Sequence, residues 1–582
     1  MAMSVASSGR RSLVSTLVNR QYNLNTSAKR VQFELPDNLR KILIEYRNKT
    51  NVKDYEELVY SMRDFEIEDQ DLSRLLQDCR ENVSVLTQAA YHLVNAILKI
   101  KWAHRSESTV RDYQGFLVDL LSAHNYYTKI VFDELVATFK SADGWENETP
   151  SKEENDIYNH VHEVLEVLLQ TVPMSLDLLK EVIEAHFPYL RRNVHEHQSY
   201  IYNMLKILHY QPVLRTDFLF LLIDRLIILD VNAPKHEIMD SYDVPEDEQF
   251  QMELGERKDS NMTHSIADTF DCCLNIVFQY LYVTCYDTSV KPAELKLEET
   301  KQIFQEILSV FDSLILPTHG THHVQFIVFY MCTFKVQLAD MFLTYLWQKV
   351  TSTRVANVIR QTAVAYFSSF LARNDTITIR ILMNRIAEMT EWVHNYISKQ
   401  DGAEGSRVDI RVHPVFYSVC QAIFYVISCR YSDFVHTKKG LLFLQGLNLT
   451  KIVTCDLNPL KVCQPEIVHS FATITRNFQL AYCFTIIEHN SRTHLPVVHL
   501  NDQGVTHETT MKDMLDTFFP FDPYVLKRSS KFISPNYNEL KAPFSEERMC
   551  SVGSKHDEDD DFLNGYSSNT PTMPVLSVSP SF

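Results

Sequence analysis

Residues 314–399 read LILPTHGTHHVQFIVFYMCTFKVQLADMFLTYLWQKVTSTRVANVIRQTAVAYFSSFLARNDTITIRILMNRIAEMTEWVHNYISK, with Pro317 and Gly320 the only such breakers. After Thr333 the polar residues Gln337, Asp340, Thr344 and Gln348 recur every three or four positions. Ile327, Met331, Phe334, Leu338, Met341 and Tyr345 fill the opposite side, which is the pattern of an amphipathic helix with a wide apolar face. Val355, Ile359, Ala363, Tyr366 and Phe370 repeat the period, and Ile379, Leu382, Ile386, Met389, Val393 and Tyr396 repeat it again. Three successive helices joined by short connections at Ser352–Thr353 and Asn374–Asp375 bury their faces most simply against their neighbours, as a helical array.

The rest of the chain agrees with this reading. Its 582 residues are too many for one ordinary core, so it is either several domains or an extended array. Only 12 are glycine, about 2% against a usual 7%. Neither GxxxxGK nor GxGxxG occurs, which disfavours folds built on phosphate-cradling turns. Helical patterning covers Leu35 to about Lys140, Ile157–Asp230, the stretch from Ser265, a segment from Phe416, and a pair containing Ile467, Phe471, Ile474, Leu480 and Phe484. Helix pairs spaced by roughly 40 residues point to an all-α, HEAT-like solenoid, although no repeat consensus is legible.

The expected organisation is a disordered basic N-terminal tail (1–34), a HEAT-like domain (35–540) with acidic loops at 141–156 and 231–262, and a disordered acidic, Ser/Pro-containing tail (541–582). Arg10, Arg11, Arg20, Lys29 and Arg30 imitate a transit peptide, but a kinase-accessible tail is the preferred account. Two prolines three apart keep Asp516–Pro523 from being a regular helix. Its three Phe suggest that it staples itself to the outside of the array. His489–Thr510 reads as irregular, with room for a short hairpin.

The net charge of −18 repels nucleic acid in bulk, so any DNA contact needs a local basic patch. Eleven Cys without a CxxC pair read as reduced, mostly buried thiols of cytosol or nucleus. No apolar run is long enough to span a bilayer, so no membrane partner is expected. His319, His322 and His323 lack HExxH spacing, and no nucleophile or carboxylate constellation stands out. The expectation is a non-enzyme without metal or cofactor. Partner surface remains: Arg354, Arg360 and Arg373 flank one helix, and Lys527, Arg528 and Lys531 follow the Phe/Pro segment. Ser151 with Glu154 fits an N-cap box or an acid-directed kinase site, and capping ranks first. Ser175 is placed as the N-cap of Leu176–His186. Thr570-Pro571 and Ser579-Pro580 are proline-directed phosphorylation candidates.

Several blocks in order resemble a known family. They are Leu316-Pro317-Thr318-His319, His323-Val324-Gln325-Phe326, Ile359-Arg360-Gln361, Ser369–Arg373, Leu457-Asn458-Pro459-Leu460-Lys461, Asp516–Pro523, Val525–Ser529 and Asp559–Leu563. Together, across roughly Val31 to Leu563, they are similar to the RNA polymerase I-specific transcription initiation factors of the TIF-IA family. The resemblance implies a helical-repeat protein that binds RNA polymerase I through its stalk subunit and makes it competent to initiate. It further implies a bridge to the promoter-bound selectivity factor at ribosomal RNA genes, under control by phosphorylation. It also implies a nuclear and nucleolar location with a cytoplasmic fraction, and admits a homodimer. The family's Leu-Ala-Arg motif, linked to the promoter-factor contact, corresponds to Leu371, Ala372 and Arg373. It is followed here by Asn374-Asp375 where the family has Ala-Lys. Arg354 and Arg360 lie where the family contacts DNA. Ser27 and Ser175 are not followed by Pro, unlike the family's proline-directed sites. A HEAT-repeat transport receptor or adaptor scaffold is the alternative reading.

Overall fold

The computed structural model describes residues 38–64, 67–141, 145–146, 149–240, 262–290, 292–400, 408–493, 515 and 518–539. The basic tail with Ser27, most of the second acidic loop, the bulk of 489–510, and the C-terminal tail with Asp559–Leu563, Thr570 and Ser579 lie outside the described residues. The chain is all-α and forms two compact units. The first runs to Ser352 and takes in Pro520–Tyr537; the second holds Thr353–Phe519 and the chain from Asn538.

The first unit contains α1 (Leu39–Arg47), α2 (Lys53–Asp64), α3 (Asp69–Glu81), α4 (Tyr91–Leu98), α5 (Glu107–Ala123), α6 (Thr128–Ala137), α7 (Lys152–Thr171), α8 (Leu176–Ala185), α9 (Val194–Tyr210), α10 (Arg215–Val231), α11 (Lys235–Asp240), α12 (Ser265–Cys285), α13 (Leu297–Val310), α14 (Phe326–Thr333) and α15 (Val336–Thr351). Each long helix packs on the one two places along. One layer runs α4, α6, α8, α10, α13, α15; the other runs α3, α5, α7, α9, α12, α14. That alternation is what a helical repeat requires, since each pair buries its apolar face only against the next pair.

The repeat is written in its turns. His124, Val172 and Gln211 each leave the helical region (φ −141°, −123° and −131°; ψ 80°, 79° and 69°) and still donate an N–H four residues back, to Leu120, Leu168 and Ile207. A 3₁₀ turn follows each and starts the next helix.

Several local expectations change. The run 327–348 is two helices, broken at Lys335, whose backbone is extended (φ −158°, ψ 135°) without any Gly or Pro to announce it. The last five residues of the first acidic loop, Lys152–Asp156, are already the start of α7. Ser151 caps that helix, accepting from the Glu154 N–H at 3.3 Å, and Glu153 and Glu154 lie in its first turn where the helix dipole favours them. Residues Trp145–Glu146 and Thr149–Pro150 pair as a minimal antiparallel hairpin. Ser175 does not cap α8. It is helical itself (φ −81°, ψ −10°) and buried, and its hydroxyl donates back to the Val172 carbonyl.

The second unit contains α16 (Asn357–Arg373), α17 (Ile379–Gln400), α18 (Pro414–Val435), α19 (Lys438–Gly446), α20 (Leu449–Val453), α21 (Pro459–Val462), α22 (Pro465–Asn477) and α23 (Phe484–Thr493). The 22-residue α18 is its centre, buried on most sides and packed against α16, α17 and α22. The expected packing of α16 on its sequence neighbour α17 gives way to α16 on α18. From Tyr366 to Arg373 every residue of α16 is buried, so it has no single apolar stripe to set against one neighbour.

Candidate functional site

Two arrangements contain most of the sequence blocks singled out above, one in each unit.

In the first unit, α10 and α12 each carry a fully buried carboxylate, Asp230 and Asp271. Past a π-helical turn at Phe311–Ile315 the chain meets Pro317 and forms a loop that ends at Gln325. The backbone N–H groups of His322, His323 and Val324 donate to one Asp230 oxygen, Oδ2, at 2.8, 2.9 and 3.0 Å. His323 Nδ1 lies 3.2 Å from Oδ1. Burial alone would raise this carboxyl, but His323 and the backbone donors outweigh it and hold it below the usual carboxylate range. Burial pushes the His323 imidazole below its ordinary range against the pull of Asp230, and its Nε2 has no hydrogen-bond partner among the described residues. The histidine packs the loop, and no group of side chains among the described residues could hold a metal ion.

The Pro520–Tyr537 segment docks onto the same region as a strap. The buried Gln325 amide donates to the Pro520 carbonyl at 2.6 Å. Phe521 is fully buried, its ring 5.3 Å from both Phe326 and Phe329, and Tyr537 donates its hydroxyl to the Phe521 carbonyl at 2.8 Å. Asp271 accepts the Arg528 N–H at 2.7 Å, the Ser529 N–H at 2.9 Å and the Ser529 hydroxyl. Burial raises its carboxyl above the usual range in spite of these donors. The strap's aromatic end is therefore core rather than an external staple. Arg528, expected as a surface cation, faces Asp268 at 3.5 Å and is mostly covered.

In the second unit the candidate partner-binding residues separate into two groups. Arg354 is exposed, ahead of the first turn of α16. Arg360 is half-buried on that helix and donates to Asn357 Oδ1 at 3.3 Å. Burial lowers its guanidinium, against the pull of Tyr396. Val358 between them is 70% exposed. Leu371 and Ala372 are fully buried and Arg373 nearly so. Arg373 clasps Asn538, giving Nη1 to its carbonyl at 3.2 Å and taking its N–H at 2.7 Å. Arg430 ties the end of α16 to α18, donating to the carbonyls of Leu371 and Asn374 at 3.4 and 3.3 Å while Nε holds Asp433 at 2.6 Å. Asn374, where the family has Ala, is buried and its side chain accepts from the Thr376 N–H at 2.8 Å. The Leu-Ala-Arg side chains, expected as a partner contact, are thus internal supports.

The Leu457–Lys461 block behaves the same way. Asn458 takes a left-handed backbone (φ +43°) before Pro459 and exchanges amide hydrogen bonds with Asn490 at 2.7 and 3.1 Å, and Tyr417 donates to the Leu457 carbonyl at 2.8 Å.

Sequence reasoning passed over Asp230 and Asp271. The signal was there: a lone acid at the end of the apolar run Phe218–Leu229, and another beside Cys272-Cys273 inside an apolar helix, each needing buried donors.

Residues 36–543 match the family described as RNA polymerase I specific transcription initiation factor RRN3. The chain belongs to this family. An RRN3 relative from Mus musculus, an RNA polymerase I-specific transcription initiation factor, is 33% identical over 573 residues, covering 92% of this chain and 86% of the relative. The rrn3 factor of Schizosaccharomyces pombe is 28% identical, covering 80% and 79%. The crystal structure of RNA polymerase I transcription initiation factor Rrn3 has the same fold, with a TM-score of 0.68 at 21% identity, over 86% of this chain and 97% of that one. In this RRN3 chain the matched region takes in both units and the strap.

Proposed function

We propose that this chain is a nuclear RNA polymerase I initiation factor that binds the polymerase through its stalk subunit, renders it competent to initiate, and bridges it to the promoter-bound selectivity factor at ribosomal RNA genes. The observation that carries the reading is the family match over 36–543, which covers both compact units. The protein works by contact rather than by chemistry, as its family of initiation factors suggests. A two-layer repeat suits that role, because it offers a long surface to large partners while its stability is local.

The contact residues we favour are Arg354 and Arg360, with Val358 between them, for the promoter factor and for local DNA. Leu371, Ala372 and Arg373 act indirectly, by fixing the end of the helix that carries Arg360. Phosphorylation tunes the factor by adding about −1.5 to −2 charges per site to a body already at −18. Ser151, a half-buried cap, is the accessible member of the Ser151/Ser175 pair, whereas Ser175 must first leave its buried turn. We place the chain in the nucleus, at the nucleolus where this function would be exercised, with a cytoplasmic fraction as the resemblance implies.

The test is retention of purified RNA polymerase I by the immobilised full chain, with Arg354→Glu/Arg360→Glu and Ser151→Asp variants beside it. Retention by the wild type is expected. No retention in any phosphorylation state overturns the reading in favour of an adaptor scaffold.

A further inference from the structure

The turns that join α5 to α6, α7 to α8 and α9 to α10 share a pattern. In each, the third residue is apolar and exposed (Tyr126, Met174, Val213), and the fourth is buried (Tyr127, Ser175, Leu214). Met174 is 87% exposed and Val213 77%. Leu297, exposed at the start of α13, continues the row. Ion pairs fix its order: Lys129 of α6 reaches Glu181 of α8 at 3.6 Å, and Lys180 of α8 reaches Asp217 of α10 at 2.6 Å. Packed helices lie about 8–10 Å apart, so the four side chains form a ridge roughly 25–30 Å long. Beside Val213 and Leu297 lies a groove of about 590 Å³, walled in part by their neighbours Pro212 and Glu298.

We propose that this ridge is the docking site of the chain's own N-terminal segment, Arg10–Leu24. The segment reads RRSLVSTLVNRQYNL, in which helical spacing puts Leu13, Val14, Leu17 and Val18 on one side. Arg10 and Arg11 precede that stripe, Arg20 follows it, and no acid occurs before Glu34. The ridge has the complementary character. Asp177 and Asp217 share one cation, Lys180, at 3.2 and 2.6 Å, and Glu298 has no ion pair among the described residues. A second copy presenting the same ridge would add acid to acid.

The place where the segment joins the body favours this occupant. α1 packs on the short turns Val83–Val85 and Gln88–Ala90, which lead from α3 to α4. Within that connection the Leu86 carbonyl accepts the Tyr126 hydroxyl at 3.3 Å, and the Thr87 carbonyl accepts the Tyr127 hydroxyl at 2.8 Å. The chain ahead of α1 therefore starts at the Tyr126 end of the ridge. The 13 residues between Leu24 and Asn38 can span up to about 45 Å, more than the length of the ridge. A tether this short holds the segment at about millimolar effective concentration, so an intrinsic affinity of about 0.1 mM covers the ridge roughly nine-tenths of the time.

The experiment uses the full-length chain with photoreactive benzoylphenylalanine in place of Met174, irradiated in dilute solution, with cross-linked peptides mapped by mass spectrometry. A mixture of isotopically light and heavy chains separates links within one chain from links between copies. Links within one chain to residues 10–24 are expected. They should fall about tenfold in Leu13→Asp/Leu17→Asp, which removes two apolar anchors, and less steeply in Val213→Asp or with excess free peptide 10–24. Leu13 and Leu17 lie outside the folded units, and an unchanged melting temperature shows that Val213→Asp is folded. Links between copies overturn the proposal in favour of a second copy on the ridge. Links to another segment, or none, overturn it because the tail is then not the occupant. Links to 10–24 that survive Leu13→Asp/Leu17→Asp overturn it as well, because the tail then touches the ridge without recognising it.

Discussion

Replacing Asp230 tests whether one buried carboxylate holds the loop that carries the His323–Phe326 block. Asp230→Ala removes the acceptor for three backbone N–H groups and for His323 Nδ1, the His323 and Val324 groups fully buried and the His322 N–H partly so. Each orphaned buried group costs about 1–3 kcal/mol. The costs do not add fully, because the loop relaxes, and losing one member of a buried charged set typically costs about 3–5 kcal/mol. With two compact units a single unfolding free energy is not well defined, so the measurement should be local: amide hydrogen exchange at His322, His323 and Val324. A loss of about 3–5 kcal/mol lowers their protection by roughly two to three and a half orders of magnitude, at tenfold per 1.4 kcal/mol. Asp230→Asn keeps an oxygen for the three N–H groups while losing the charge, and should cost about 1–2 kcal/mol. Asp224→Ala, at a half-buried position on the same helix with only a 3.9 Å contact to Arg225, should change little. If Asp230→Ala lowers protection by less than tenfold, the carboxylate is not what orders the loop.

Other consequences are equally open to measurement. Asp271→Ala unpins Arg528 and Ser529, so trypsin should cut the strap at Lys527, Arg528 and Lys531 far faster than in the wild type; an unchanged digestion pattern contradicts the anchor. Arg430→Ala strips donors from the Leu371 and Asn374 carbonyls and leaves Asp433 unpaired. It should destabilise the second unit by about 2–4 kcal/mol, seen as lost exchange protection in α16 and α18. His162, between Tyr210 and Asn203, is driven by burial to about 3. Its unfolded form takes up a proton below about 6.5, so its contribution is whole above that pH and falls by about 1.4 kcal/mol per unit on acidification toward 3. His162→Gln should flatten that part of the stability–pH curve measured by thermal melting, and an unaltered slope assigns the effect elsewhere.

The helical class was legible because apolar residues at three-and-four spacing must be buried whatever their partners are. Partner choice was not legible in the same way. Residues 355–370 show a stripe, yet the second half of α16 is buried all round by α18 and Asn538, a condition set by residues some 60 and 165 positions away. The break at Lys335 has no Gly or Pro; Pro173 does mark the turn at Val172, but nothing local says that Ser175 is buried in that turn instead of capping α8. Capping at Ser151 was readable because its partner, the Glu154 N–H, is three residues away. The strap's route was hidden for the opposite reason, since Asp271 and Ser529 are 258 residues apart.

This division bears on how partner contacts are assigned. The blocks that mark the chain as an RRN3 member are largely junctions: His323–Phe326 with Asp230, Phe521 with Phe326, Arg528-Ser529 with Asp271, and Leu371–Arg373 with Arg430 and Asn538. A substitution in any of them that abolishes partner binding therefore has two explanations, and only a stability measurement separates them. Arg373→Ala removes a nearly buried guanidinium hydrogen-bonded to the chain, and should cost about 1–3 kcal/mol and lower the melting temperature. Arg354→Glu reverses an exposed charge and should leave melting unchanged within about 0.5 kcal/mol. If binding acts through the cationic face, Arg354→Glu weakens retention of the partner with melting intact, and the loss shrinks as salt is raised. If Arg373→Ala instead weakens binding without any fall in melting temperature, its side chain reaches a partner after all, and the internal role assigned to the Leu-Ala-Arg block is wrong.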